Sequence, residues 1–336
     1  MSLKEIGEFG FIERIGRGCL TRPQEVVRGI GDDAAAFRTD GRLLSLITTD
    51  MLVERVHFLR EAISGRDLGH KSLAVNLSDI AAMGGIAREA FVAIAIPDDC
   101  ALPYLEELFW GMKELAKAQA VNILGGDTTR SAADLVITVT VYGVVAEAQI
   151  LTRDAARPGD VVFSTGFLGD SRAGLQLILD RAPADTPALK ALLAAHRRPT
   201  PHLAEGRFLA GRPGVHAAID VSDGLSSDIA HIAEESRVGA RIFADKIPVS
   251  ENLAEYCRRF GRSPLDIALA GGEDYTLLAT AAAEAAGDIA REFEKTFGRR
   301  LYAIGEITDG PPLELLEAGG RVTPLAPTGW DHFKRC

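Results

Sequence analysis

Cysteine is scarce in this 336-residue chain: Cys19, Cys100, Cys257 and Cys336 stand singly along it. No C-x-x-C pair is available for zinc or redox chemistry and no dense disulfide framework exists, so reduced structural thiols are expected. Long apolar runs are missing too. The longest stretch without a charge, Leu135 to Ala146, covers 12 positions, well short of the roughly 20 that a membrane-crossing helix needs. The first eight residues, Met1-Ser2-Leu3-Lys4-Glu5-Ile6-Gly7-Glu8, carry acids where a secretion signal would carry an apolar core, which predicts a cytoplasmic protein. Basic residues are in deficit, 37 against 47 acidic, and the net charge of −10 leaves no general attraction for nucleic acid or anionic lipid. Any phosphate-bearing ligand therefore needs local cations. Familiar nucleotide and acyl-transfer frameworks are also absent: there is no Gly-Lys-Ser/Thr loop, no protein-kinase catalytic loop and no Gly-x-Ser-x-Gly elbow.

What is present fits a folded chain. Hydrophobic residues make up 47% and charged residues 25%, and the length suggests two domains, each able to bury a core. Up to about residue 150, strand and helix patterns alternate. An apolar segment, Leu43 to Thr49, delivers Asp50; helical spacing runs from Asp67 to about Met83 and stops before Gly84-Gly85; a second helix is predicted over Leu105 to Ala120. The strand Val121 to Leu124 is expected to end at Gly125-Gly126-Asp127, with another strand over Leu135 to Ala146. The turn-forming cluster Ala156-Arg157-Pro158-Gly159-Asp160 marks the junction, and a second α/β unit restarts with Val161 to Ser164. Helices are predicted there at Asp170–Leu179, Pro187–Ala195, His202–Ala210, Leu225–Glu235 and Ala281–Phe297, with strands near Ala217–Val221, Tyr275–Ala279 and Leu301–Ile307. The predicted organisation is residues 1–150 and 151–336.

The chemistry is signalled by acids at the ends of apolar elements. Gly29-Ile30-Gly31-Asp32-Asp33-Ala34 superficially fits a dinucleotide-binding turn, but Phe37-Arg38-Thr39-Asp40-Gly41 breaks the chain where the required helix would begin. Alone it reads as an acidic surface turn. The theme recurs, however, in Thr48-Thr49-Asp50, Asp79, Asp127, Asp220 and Asp223. Buried carboxylates without partners cost several kcal/mol each, and nearby lysines and arginines are too few to pair with them all. Hard divalent cations are the natural counter-charge, since oxygen ligation by Asp and Thr without clustered His or Cys selects magnesium, calcium or manganese. Gly169-Asp170-Ser171 and Ser222-Asp223-Gly224 precede helices whose first amides are expected to offer phosphate contacts. Read alone, Ser222 is a helix cap, His57 a structural histidine and Trp330 a packing residue, while Glu273 in Gly271-Gly272-Glu273-Asp274-Tyr275 is as much structural as functional.

Taken together, Gly29-Ile-Gly-Asp-Asp33, Thr48-Thr-Asp50, His57-Phe58, Asn76-Leu-Ser-Asp79, Gly125-Gly-Asp-Thr-Thr129, Asp220-Val-Ser-Asp-Gly224, Gly271-Gly-Glu-Asp-Tyr275 and Gly329-Trp330-Asp-His-Phe333 resemble, in order and spacing, the thiamine-monophosphate kinase family. The similarity runs from about residue 5 to 333. It implies the two-domain α/β fold shared with aminoimidazole ribonucleotide synthetase, a homodimer associating through its N-terminal domains, and an active-site groove between domains. It also implies ATP-dependent phosphorylation of thiamine monophosphate to thiamine diphosphate by direct transfer. By that resemblance Asp33, Thr48, Thr49, Asp50, Asp79, Asp127, Asp220 and Asp223 match magnesium ligands, with Asp33, Asp50, Asp127 and Asp223 central to catalysis. Phe109, Gly126, Asp127, Arg153 and Ser222 match nucleotide-binding positions, Phe109 standing where tyrosine is frequent, and His57, Glu273 and Trp330 match thiamine-phosphate contacts. Two alternatives remain at this stage: another ATP-dependent enzyme of the same superfamily, like the hydrogenase-maturation carbamoyl dehydratase that acts through a C-terminal cysteine, here Cys336, or a non-catalytic nucleotide-binding module.

Overall fold

A computed structural model describes residues 8, 10–12, 23–39 and 41–330; Cys19, Cys336 and the segment Asp331-His-Phe333 lie outside them. The first half forms a six-stranded mixed sheet from β1 (Val26–Arg28), β2 (Ala35–Arg38), β3 (Leu43–Val53), β4 (Ile86–Pro97), β5 (Asn122–Ser131) and β6 (Val136–Ala146), in the order β1-β2-β3-β6-β4-β5. Only β4 and β5 run parallel within it. Along β3 the side chains alternate between faces, so Leu44, Leu46, Thr48 and Leu52 are buried while Ile47, Thr49 and Met51 are exposed. The buried face is covered by α1 (Gly65–Ala82), and α2 (Leu102–Ala118) packs on α1. Ser64 caps α1 by accepting from the Asp67 amide at 3.1 Å, which starts the helix two residues before the predicted Asp67.

The second half forms a seven-stranded mixed sheet from β7 (Val161–Ser164), β8 (Val215–Asp220), β9 (Gly239–Phe243), β10 (Leu277–Ala281), β11 (Tyr302–Thr308), β12 (Leu313–Leu316) and β13 (Val322–Pro324), in the order β13-β12-β9-β11-β7-β10-β8. Its helices are α3 (Asp170–Leu179), α4 (Pro187–Arg197), α5 (Leu203–Ala210), α6 (Leu225–Ser236), α7 (Glu251–Phe260), α8 (Pro264–Ala270) and α9 (Ala283–Phe297). The sequence pattern locates β7, α3 and the cores of the predicted helices, but leaves β1, β2, β4, β9, β12, β13, α7 and α8 unassigned. The strand predicted to stop at Leu124 instead continues through Gly125-Gly126-Asp127 to Ser131. The chain can do so because Gly126, at φ +152°, lies so close to β4 that a Cβ would sit 1.7 Å from the Val92 carbonyl oxygen.

Helix α1 has no wet side along most of its length: β3 and β6 lie beneath it, α2 beside it, and α5 and β8 of the second half close over the rest. Close approach of α5 is set by Gly206, where a Cβ would stand 2.0 Å from the Ala81 carbonyl oxygen. Leu77 and Ile80 on α1 join Leu203, Leu209, Ala218 and Leu277 in one core that crosses between the halves. Each fully buried Leu or Ile contributes about 1.5–3 kcal/mol, so the elements that carry the acids are held in fixed relation. Among the described residues no helix is long and apolar enough to cross a membrane.

Candidate active site

The acids converge where the two halves meet. Asp33 stands in the turn between β1 and β2, Thr48 and Asp50 on the buried face of β3, Asp79 near the end of α1, Asp220 at the last position of β8, and Ser222 and Asp223 in the turn before α6. Together with Asp32, Thr49, Arg153, Asp228 and His231 they line a cavity of about 220 Å³. Asp33, Asp79 and Asp220 each present an oxygen within 4.8 Å of the others. Side chains beneath them fix these positions: Ser78 Oγ donates to Asp220 at 2.5 Å, Thr48 donates to Asp79, and the Asp50 amide donates to Asn76 Oδ1 at 3.0 Å. Asn76 and Ser78 are fully buried on α1, which explains why polar residues occupy the middle of an otherwise apolar helix.

Seven aspartates line this cavity and its one permanently charged cation is Arg153, whose Nη2 donates to Asp33 at 2.8 Å. Burial is the main cause of raised carboxyl pKa values here: Asp50 is pushed up to about 6, Asp32 to about 7, and Asp79 and Asp220 well above the ordinary range. Mutual repulsion adds to it. Without a counter-ion burial shifts such groups toward their protonated forms; a divalent cation would supply charge that favours the ionised ones. The donor set is all oxygen, so the residues fit a hard ion such as magnesium. His231, on α6, is pushed down to about 4 by burial, so it brings no charge to the cavity at neutral pH.

Glu273, matched by resemblance to a thiamine-phosphate contact, stands in a loop joined to the turn that carries Ser222 and Asp223. The loop 271–275 is laced to 221–223 by backbone bonds from Glu273 to Ser222 (2.8 Å) and from Tyr275 to Val221 (2.9 Å). Glu273 and Tyr275 adopt left-handed backbone angles, φ 63° and 52°. Lys71 of α1 contacts Glu273 at 2.8 Å and His196 of α4 contacts it at 3.2 Å. The segment 328–330 is pinned to the start of α6, with the Gly329 amide on Ser227 Oγ (3.0 Å) and the Trp330 amide on the Asp223 carbonyl (3.2 Å), and the Trp330 side chain is half exposed. His57 accepts at Nδ1 from the Val53 amide at 2.9 Å, which in the neutral ring places the proton on Nε2.

Three sequence-selected residues are not brought to the cavity of this chain. In the sheet register Asp127 stands in one row with Ala93, Thr138 and Met51, the row that faces away from α1, and it lies on the edge strand three places from β3. Gly126 precedes it there, and Phe109 packs against the core beside α1. Thr49 belongs to the cavity lining, yet its hydroxyl stands on the outward face, 2.9 Å from that of Thr140. The expectation of open helix amides needs correcting. Asp274 accepts from the Gly169 and Ser171 amides at 2.6 and 3.1 Å, and Asp228 accepts from the Gly224 amide at 2.9 Å, so acids of this chain already occupy both helix starts. Ser222 is accordingly not the cap of α6; Gly224 is. Asp32, Asp228, His231 and Lys71 escaped the sequence reading. Asp32 was signalled by its neighbour Asp33, and Asp228 by standing one turn into a helix that begins at glycine.

Comparison with known proteins matches this arrangement along the whole chain. Residues 31–145 match the AIR synthase related protein, N-terminal domain, and residues 157–316 the C-terminal domain of the same family. Thiamine-monophosphate kinase of Aquifex aeolicus (strain VF5) is 36% identical over 333 residues, covering 99% of this chain and 100% of that protein. The enzyme of the same name from Bacillus subtilis (strain 168) is 38% identical over 309 residues, 91% of this chain and 93% of that protein. A solved structure described as AaThiL complexed with AMPPCP and TMP superimposes with a TM-score of 0.86 at 34% identity, covering 99% of both chains. Two AIR synthase related domains, each a mixed sheet with packed helices, and relatives of this similarity place the chain among kinases: it belongs to the thiamine-monophosphate kinase family.

Proposed function

We propose that this chain transfers the γ-phosphoryl group of ATP directly to the phosphate of thiamine monophosphate, giving thiamine diphosphate and ADP, in the cytoplasm. The observation that carries the reading is the cavity in which seven aspartates face one arginine, beside the Glu273 cluster and under a structure that superimposes on a relative described with AMPPCP and TMP. Asp33, Thr48, Asp50, Asp79, Asp220 and Asp223 would hold magnesium ions, with Thr49 and Asp127 completing the set. Bound there, magnesium supplies neutralisation of the ATP and acceptor phosphates and of the charge that develops during transfer. Arg153 and Ser222 flank the polyphosphate in this reading, Phe109 and Gly126 contribute to the nucleotide site, and Asp33, Asp50, Asp127 and Asp223 orient the reacting groups. His57 donates through Nε2 to the acceptor phosphate, Glu273 meets the cationic part of thiamine, and Trp330 covers one of its rings. The acceptor is a phosphate monoester already ionised near neutrality, so no strong general base is needed and positioning supplies most of the rate.

The placement of Asp127 supports a homodimer in which it serves the neighbouring protomer's site. Its side of the sheet exposes Ile47, Met51 and Phe91, an apolar surface suited to meeting a second copy. In this organisation residues 1–150 form the ATP-, magnesium- and dimer-binding domain and residues 151–336 complete the groove. The reading is tested by incubating the protein with ATP, magnesium and thiamine monophosphate and following ADP and thiamine diphosphate by mass spectrometry. Equal, magnesium-dependent formation of both, with free thiamine inert, is expected; ATP binding without product from this acceptor would refute it. A γ-phosphoryl group chiral by isotope should arrive inverted, whereas retention would require a phosphoenzyme.

A further inference from the structure

Lys71 is the one basic side chain of α1 that is fully buried, 1% exposed. Its ammonium lies 2.8 Å from Glu273 Oε1 as an ion pair, and it has hydrogen-bond geometry to no group among the described residues. Burying an ammonium costs several kcal/mol unless a partner compensates it, and an aliphatic residue would fill an interior helix position without that cost. The other oxygen of Glu273 faces His196 Nδ1 at 3.2 Å, and that nitrogen also meets Ser171 Oγ at 3.1 Å. Burial pushes His196 down to about 3, so it is neutral and leaves Lys71 as the charged partner. Burial alone would raise the Glu273 carboxyl, yet the Lys71 ammonium holds it below its usual value. The backbone at Glu273 is left-handed, φ 63°, a conformation that costs a residue with a side chain on the order of 1–3 kcal/mol and persists only where surroundings impose it. Lys71 comes from the first half of the chain and Glu273 from the second, so the pair also ties the loop 271–275 to the helix that carries Asp79.

We propose that Lys71 is a positioning residue for the phosphate acceptor: its ion pair holds the Glu273 carboxylate aimed at the cationic part of thiamine monophosphate. This rests on the reading of Glu273 as an acceptor contact. Lys71 has almost no exposed surface, so it acts through Glu273 rather than on substrate. The test is steady-state kinetics of Lys71→Met, Glu273→Gln and the double variant, with KM measured separately for ATP and thiamine monophosphate. Expected are a rise of about ten-fold or more in KM for thiamine monophosphate in each single variant, KM for ATP within about two-fold of wild type, and a double variant no worse than Glu273→Gln alone. A residue that merely supports the fold would move both KM values together, or multiply its effect with that of Glu273→Gln, and either result overturns the proposal. If Glu273→Gln leaves the acceptor KM unchanged, the reading of Glu273 falls and takes the proposal with it; if only Lys71→Met is silent, Lys71 alone is excluded. Should Lys71→Met not melt cooperatively, Lys71→Gln, which keeps a donor to Oε1, replaces it under the same requirement of an acceptor-specific KM rise.

Discussion

Two acid clusters share the loops 220–224 and 271–275 and handle charge in opposite ways. In the cavity between the halves, seven aspartates share Arg153 and, 3.7 Å from Asp32, Arg28, and burial drives several of their pKa values up. A short step away, Glu273 meets one lysine at 2.8 Å and keeps its charge. In the function proposed above, the unneutralised surplus would take cations from outside, whereas the matched pair would meet a ligand of defined charge. The same distinction separates the two faces of β3. Thr48 and Asp50 look inward to the surplus, while the row containing Asp127 looks outward, the face that the proposed homodimer would cover.

If the surplus is the catalytic core, its loss must be far more damaging than loss of the matched pair. Asp50→Ala should lower kcat by on the order of 10³-fold or more while leaving the melting transition intact, against the KM-centred effect of Glu273→Gln. Wild-type kcat in Asp50→Ala would remove Asp50 from the metal set. The contrast between the faces of β3 is tested by mixed dimers. Asp50→Ala and Asp127→Ala chains, each inactive alone, should regain about half the activity of a wild-type dimer when purified as heterodimers, because one of the two sites is then wholly wild type. No recovery would show that Asp127 does not serve the neighbouring site.

The smallest effect is thermal. Acids whose pKa is raised by folding contribute stability that is fully present below the unfolded pKa and is lost as pH rises through the folded pKa. Asp32 and Glu235 at about 7 and Asp274 at about 8 place part of the loss between about pH 6.5 and 8.5. His196, His202 and His231, lowered to between about 3 and about 4, act in the other direction, but below about pH 6.5, where the unfolded histidines protonate. The metal-free protein should therefore melt a few degrees lower at pH 8.5 than at pH 6.5. Magnesium should recover only the share that comes from Asp32, the one of these three acids that lines the cavity. A Tm that rises across this range without metal would contradict the assignment of a protonated acid cluster.

Much of this was legible along the chain. The helical spacing of α1 places Asp79 near its buried end, and repetition of acid beside glycine points to metal before any contact is known, whereas β3, expected to end on Asp50, runs on to Val53. The convergence itself was not readable: Ser78 and Asp220 lie 142 positions apart yet bond at 2.5 Å. Lys71 reads locally as one more polar residue on a helix, because its partner Glu273 arrives from the other half. Asp127 was grouped with the metal acids by its motif, but its face depends on the irregular passage of β5 past Gly126, which sequence alternation does not reveal. The helix starts at Gly169 and Gly224 looked open because the acids that close them, Asp274 and Asp228, stand 105 and 4 positions away.

The most direct measurement of the cation-surplus account is a crystal structure grown with manganese and a non-hydrolysable ATP analogue, with anomalous scattering used to locate the metal. The account predicts manganese coordinated by oxygens of Asp33, Asp79 and Asp220 and in contact with the analogue's phosphates, with Arg153 beside them. Bound analogue whose phosphates meet side chains alone, with no manganese at those three carboxylates, would contradict it.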